Sequence, residues 1–215
     1  MVPPSAGDGQ FVSRGGQKLA AALDAFGLDV TGWTCADFGA NVGGFTDCLL
    51  ARGAAKVFAV DTGYGELAWR LRRDGRVVVM ERTNALYADP PQPTDLVAID
   101  VAFTPQRLIV PAAAGWLASG GHIVSLLKPH YELAKLPDSP RPAAPSRPMD
   151  PALAQQICQR ICGELAQMSL PPAAVITSPL RGKGGNVEFL LHIRPLSPGP
   201  GPEAQPGGPT RLANS

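Results

Sequence analysis

Between residues 14 and 195 short apolar runs, each long enough for one strand, alternate with stretches whose apolar residues recur at helical spacing. Such an alternation joins strands through helical crossovers, so it predicts an α/β fold, a mostly parallel sheet flanked by helices. SRGGQKLAAALDAFGL is read as a helix, with Leu19, Ala22, Leu23 and Phe26 at helical spacing. TCADFG, AKVFAVD, RVVVMER, DLVAIDV and GHIVSLLK are then strands one to five. Helices are expected at GFTDCLLARG, closed by Gly53, at GELAWRLRRDG, closed by Gly75, and at PQRLIVPAAAGWLAS, opened by Pro105. MDPALAQQICQRICGELAQM supplies a long helix with Pro151 in its first turn, and AAVITSPL and NVEFLLHIR are strands six and seven, joined by RGKGG.

Composition supports one folded unit of about 180 residues rather than two. With 45% hydrophobic and 17% charged residues the chain can bury a substantial core. Residues 1–10 are expected to be flexible, 11–195 to form the domain, and 196–215 to be a disordered tail without core-forming pattern. Prolines 137, 140, 142, 145 and 148 mark 137–150 as an irregular loop. No apolar run of 18 residues and no secretion signal occurs, so a cytoplasmic location is the default expectation. The four cysteines, Cys35, Cys48, Cys158 and Cys162, contain no CxxC pair and accompany three histidines. That pattern points to small buried hydrophobes and to neither a zinc site nor a disulfide framework.

The net charge of +1 is small for a protein that grips nucleic acid over its whole surface. Such binding would need local basic clusters. Arg70, Arg72, Arg73 and Arg76, and Arg181 with Lys183, are the two candidates, and a solvated helix face is the other reading of the first.

The densest signal is DFGANVGGFTDCLL, residues 37–50: a strand that ends on an acid, glycines, then a helix start. This elbow lets a ligand approach the backbone closely and meet N–H groups left unpaired at the helix start. GxxxGG is neither GxGxxG nor a phosphate loop, which disfavours a pyrophosphate and with it a nicotinamide-dependent oxidoreductase. Asp61 at the tip of strand two is placed for ribose hydroxyls, and Asn84 after strand three for an adenine edge. Asp37, Gly39, Ala40, Gly43, Gly44, Phe45, Asp61, Asn84 and Asp100 are therefore the candidate cofactor residues. S-adenosylmethionine fits this ordered set best, since it combines a nucleoside with a carboxylate.

SRGGQKL, DFGANVGGFTDCLL, AVDTGYGELAWRLR, ERTN, DLVAIDVAF, LLKPHYE and GNVEFLLH, in that order over residues 11–195, resemble the TlyA group of the FtsJ-like methyltransferases. That group holds proteins named hemolysins and proteins named ribosomal RNA 2'-O-methyltransferases. The resemblance implies the Rossmann-like class I methyltransferase fold: seven strands, the last antiparallel, with helices on both faces. It also implies a Lys-Asp-Lys-Glu tetrad at Lys18, Asp100, Lys128 and Glu188, and a ribose hydroxyl of RNA, a cytidine in ribosomal RNA by family habit, as methyl acceptor. Such proteins usually carry a small RNA-binding domain ahead of the catalytic one. Only about ten residues precede FVSRGG here, so an RNA-binding partner in place of that domain is a further expectation, and no membrane partner is expected.

The residues read alone agree with part of this. Asp100 and Lys128 end parallel strands and so face the crevice at the carboxyl edge of the sheet. Lys18 is also readable as an ordinary helix lysine, and Glu188 as a solvent-facing residue of an edge strand. A ribose hydroxyl needs positioning and loss of its proton, which assigns Lys128 as base or hydroxyl-orienting group. Asp100 would align the donor and Lys128, Glu188 would orient the lysines, and Lys18 would bind the target phosphate or support the site. His130 and Tyr131 are placed to meet a base, or to serve only the loop. A small-molecule or protein methyltransferase and a non-catalytic, hemolysin-like or RNA-associated protein are the competing readings. No spanning helix or long basic amphipathic segment favours a pore-former.

Overall fold

The computed structural model describes residues 11–135 and 148–195. The segments 1–10 and 196–215, and the proline-rich loop apart from residues 148–150, lie outside the described residues. The strands are β1 Thr34–Phe38, β2 Lys56–Val60, β3 Val77–Met80, β4 Thr94–Ile99, β5 Leu117–Leu127, β6 Pro172–Thr177 and β7 Phe189–Ile193. They form one sheet in the order β3-β2-β1-β4-β5-β7-β6. β1 to β5 pair in parallel, and β7 runs antiparallel to both β5 and β6. The strand order reverses on either side of β1, and a parallel sheet opens a ligand crevice at such a switch, beyond the carboxyl ends of its strands.

The helices are α1 Arg14–Phe26, α2 Gly44–Ala51, α3 Trp69–Arg72, α4 Gln106–Ala114, α5 Pro129–Leu133 and α6 Pro151–Gln167. Strand alternation splits the core in two. Cys35, Leu96 and Ala98 pack with Leu19, Leu23, Leu49 and Leu71 of α1, α2 and α3. Ala36, Phe38, Val97 and Ile99 pack on the other face with Ile109 and Val110 of α4 and Ile157, Ile161 and Leu165 of α6. Both faces are thus covered. Ser13 caps α1 by accepting from the Gly15 N–H, and Gly27 closes it at φ +64°, a left-handed position that glycine takes without strain. Asp150 caps α6 through the Ala152 and Leu153 N–H groups, with Pro151 at its first position.

Four elements depart from the pattern in the sequence. The helix expected over 65–75 shrinks to α3, because the Asp61 carboxylate takes the Gly63 N–H and Glu81 takes the Gly65 N–H, which winds the approach into turns. The helix opened by Pro105 ends at Gly115, and β5 starts as early as Leu117. LLKPHYE contains the short helix α5, started by Pro129. RGKGG includes a single 3-10 turn, Lys183–Gly185. Cys35, Cys48 and Cys158 are buried and Cys162 half-buried, all as free thiols.

Candidate active site

A crevice of about 660 Å³ opens at the carboxyl ends of β1 to β5. Gly39, just past β1, has φ +87°, and a Cβ there would stand 2.8 Å from the Asp100 carbonyl oxygen. Only glycine makes this turn. The elbow that follows satisfies its own donors: the Gly39 and Ala40 N–H groups both reach the Val60 carbonyl, at 2.9 and 3.1 Å, and Asn41 N–H donates to Asp61 Oδ2 at 2.8 Å. What the glycines supply at this turn is therefore open space more than free N–H groups. Gly43, the left-handed residue before α2, does not line the crevice. It faces Leu67 and Leu71, and its role is packing. Gly44 lines the crevice and also lets α1 approach, since a side chain there would strike Ser13 Oγ and the Gly16 nitrogen.

Asp37 lines the floor with 0% exposure. Its Oδ2 accepts from Thr46 N–H at 2.8 Å and Thr46 Oγ1 at 2.7 Å, while Oδ1 has no hydrogen-bond partner among the described residues. Burial pushes this carboxyl up to about 7; the Thr46 bonds pull it down, and Asp100 and Asp61 push it further up. Asp61 holds the Gly63 N–H on Oδ1 at 2.7 Å and the Asn41 N–H on Oδ2, so each oxygen keeps a lone pair for another donor. Asn84 Oδ1 accepts from Leu86 N–H at 3.0 Å, which turns the amide NH₂ outward as a donor. Ala40, Phe45 and Asp100 complete the sequence-predicted set on the crevice wall.

The other four polar residues form two ion pairs. Lys128 follows β5 and places Nζ 2.5 Å from Asp100 Oδ1 and 3.4 Å from the Val101 carbonyl. Lys18, on α1 and almost buried, meets Glu188 Oε2 at 2.5 Å. Lys18, Asp100 and Lys128 line the crevice; Glu188, 3% exposed, sits behind Lys18. Glu188 directly precedes β7, an interior strand, so the solvent-facing reading fails. A Cβ at Gly182 would strike its carboxylate.

His130 and Tyr131 lie beside this group. Their ring centroids are 4.2 Å apart with the planes tilted by 40°, Tyr131 is 5.7 Å from Phe103, and Lys128 Nζ is 5.9 Å from the Tyr131 ring. Burial pushes the His130 imidazole below its ordinary value, with Glu188 opposing and Lys128 reinforcing the shift. The arginine cluster is largely committed elsewhere. Arg70 pairs with Asp47, Arg72 with Glu81, and Arg76 with Asp74. Arg181 is exposed.

Ser13, Arg14, Thr83, Val101 and Phe103 also line the crevice and escaped the sequence reading. Ser13 carries a signal, a cap residue ahead of a helical pattern. Phe103, 77% exposed, carries none, because an aromatic in a turn breaks no period.

The chain has relatives among known proteins. Residues 11–194 match the FtsJ-like methyltransferase family. The chain is 42% identical over 187 residues to the 16S/23S rRNA (cytidine-2'-O)-methyltransferase TlyA of Mycobacterium tuberculosis, covering 86% of this chain and 68% of that protein. It is 40% identical over 200 residues to YqxC of Bacillus subtilis, covering 91% and 69%. A Lactococcus lactis crystal structure bearing the hemolysin name superposes with a TM-score of 0.78 at 35% identity, covering 87% of this chain and 89% of that one. With the glycine elbow, the reversed strand order and the antiparallel β7 in place, a match of this extent leaves one assignment: the chain belongs to the FtsJ-like methyltransferases.

Proposed function

We propose that this chain transfers the methyl group of S-adenosylmethionine to a ribose 2'-hydroxyl of ribosomal RNA. The observation that carries the reading is the pair of lysine-carboxylate contacts at the lip of the crevice, Lys128 with Asp100 and Lys18 with Glu188. The residues fit the cofactor. The orphaned Asp37 Oδ1 and the convergence of Asp37, Asp61 and Asp100 favour a cationic ligand, such as one with an ammonium and a sulfonium. Asp61 would accept from ribose hydroxyls and Asn84 would donate to an adenine edge. When bound, the cofactor supplies a methyl group already activated by positive sulfur.

The chain's own task is then to place and deprotonate the acceptor. An ammonium has three donors. The Val101 carbonyl accepts one at Lys128, and Asp100 Oδ1 stands 2.5 Å away as a charge partner outside hydrogen-bond geometry, so Nζ keeps a donor to aim at a hydroxyl oxygen and fix its lone pairs. Paired with Asp100 in this way, Lys128 takes the role of orienting the hydroxyl. Glu188 holds Lys18 in the adjoining wall, where it supports the site.

A small-molecule acceptor is the second reading, favoured by the ion-paired state of Arg70, Arg72 and Arg76. Transfer of labelled methyl to total RNA and to separated ribosomal subunits decides between them. Label at a ribose that resists alkaline cleavage is the expected result. Cofactor binding with no label in any RNA would sink the RNA reading.

A further inference from the structure

Asp100 and Lys128 belong to different strand ends, and something must hold those ends at a fixed separation. The ion pair is one tie: Lys128 grips Asp100 and Val101, the start of the turn that leads into α4. A second tie grips the other end of the same turn. Glu132, on the short α5 that begins right after Lys128, accepts the Gln106 N–H on Oε1 at 2.8 Å. Gln106 is the first residue of α4, and the residue before it, Pro105, makes no side-chain cap. Glu132 thus supplies the missing cap from another segment.

The surroundings make this contact rigid. Glu132 is 5% exposed and Gln106 2%. The Glu132 and Tyr131 N–H groups both return to the Lys128 carbonyl, at 3.3 and 2.9 Å, so the carboxylate and the lysine are tied by one turn of backbone. Gln106 Oε1 accepts from Ser125 Oγ at 2.7 Å, which anchors the start of α4 to β5 itself. A buried carboxylate with a neutral partner is an expensive way to fill space, and a role in packing alone does not call for it.

We propose that Glu132 is a positioning residue of the methyl-transfer site: its bond to the Gln106 N–H fixes the turn from Asp100 to Gln106 so that Asp100 meets Lys128. The assignment rests on the reading of Asp100 and Lys128 as the reacting pair. Its mechanism is geometric. With the cap gone, the turn keeps the Gln106 side-chain bonds to β5 and the ion pair it is supposed to aim, but its backbone loses its fixed end, and a displacement of about 1 Å in such a group costs on the order of 100-fold in rate.

The test uses the full chain with Glu132→Ala, Glu132→Asp and Glu132→Gln, and with Val30→Ala as a stability control buried ahead of β1, at the opposite end of the sheet. Without cofactor, acetylation of Lys128 by an amine-reactive ester is followed by peptide mass spectrometry, together with hydrogen exchange over residues 101–107. Glu132→Ala is expected to be labelled about 5- to 10-fold faster at Lys128 and to exchange faster in the turn, while Glu132→Gln, which keeps the acceptor oxygen, and Val30→Ala stay within twofold of wild type. In methyl transfer, kcat of Glu132→Ala is expected to fall about 10- to 100-fold with the KM for S-adenosylmethionine within threefold. If Glu132→Ala does not fold, Glu132→Asp, whose shorter arm falls short of Gln106, serves in its place. Lys128 labelling within twofold of wild type in a folded Glu132→Ala or Glu132→Asp variant overturns the proposal, as does an equal change in Val30→Ala. A wild type that methylates no RNA sinks the functional reading, and the labelling still decides whether Glu132 sets Lys128.

Discussion

Lys128 Nζ and Asp100 Oδ1 meet at 2.5 Å across the gap between the ends of β5 and β4, with the Val101 carbonyl as a third member. Neither strand end dictates this separation. It follows from parallel pairing of β4 with β5, in which Ile99 is level with Ser125, and from the turn that enters α4. Removal of either charge leaves the other half-buried and unpaired.

Asp100→Asn is therefore expected to release Lys128 and lower single-turnover methyl transfer by about 100-fold, within the range for loss of an acid-base or orienting group. A rate within threefold of wild type at saturating cofactor would contradict this role.

Glu188→Ala strands Lys18 as an uncompensated charge in a nearly closed site, which costs on the order of 3–5 kcal/mol of stability. Urea unfolding measures it. Gly182→Ala pushes the Glu188 carboxylate from its place without removing it, so methyl transfer should fall while cofactor affinity stays within threefold. Unchanged transfer by a folded Gly182→Ala variant would argue against Glu188 as the residue that holds Lys18.

Asp37 makes a pH prediction whose sign is unusual for a carboxylate. Its folded value is raised from 3.8 to about 7, so between those limits the folded state binds the extra proton. Stability of the cofactor-free protein falls as pH rises from about 4 to 7, by a contribution on the order of 4 kcal/mol, and stays low above. Asp37→Asn keeps an acceptor for Thr46 and removes the charge. At pH 8 it should melt above wild type and bind S-adenosylmethionine more weakly; a lower melting point at pH 8 refutes the assignment.

At the opposite edge of the sheet His122 Nδ1 and His192 Nε2 are 2.9 Å apart, and His192 stacks on Phe26 at the end of α1. Burial holds both imidazoles below the ordinary 6.5, with Arg194 adding to it at each and His122 lowering His192. Their contribution is fully present above pH 6.5 and is lost as pH falls through the depressed folded values. His192→Phe should shrink the drop in melting temperature between pH 7 and 5.5. A drop as large as in wild type would show that the pair does not carry it.

The sheet and three members of the candidate site were legible because a strand's polar terminus announces itself. Asp61, Asp100 and Lys128 each follow an apolar run, and parallel pairing brings all three to one edge. Glu188 was legible only through resemblance, since its burial depends on β7 lying inside the sheet, which no local period reveals. The arginines left two readings open for a related reason: a sequence counts their charge, while Asp47, Glu81 and Asp74 neutralise three of them in space. Glu132 closes the motif LLKPHYE, but its contact left no trace, because its partner lies 26 residues away and is a backbone N–H.

The most direct measurement is single-turnover transfer of labelled methyl from S-adenosylmethionine to ribosomal RNA by wild type and Lys128→Ala, with cofactor binding measured on the same preparations. Alkali-resistant label at one ribose with wild type, loss of at least about 100-fold with Lys128→Ala, and cofactor affinity within threefold are the predicted results. Equal transfer by the two proteins would contradict the account at its centre.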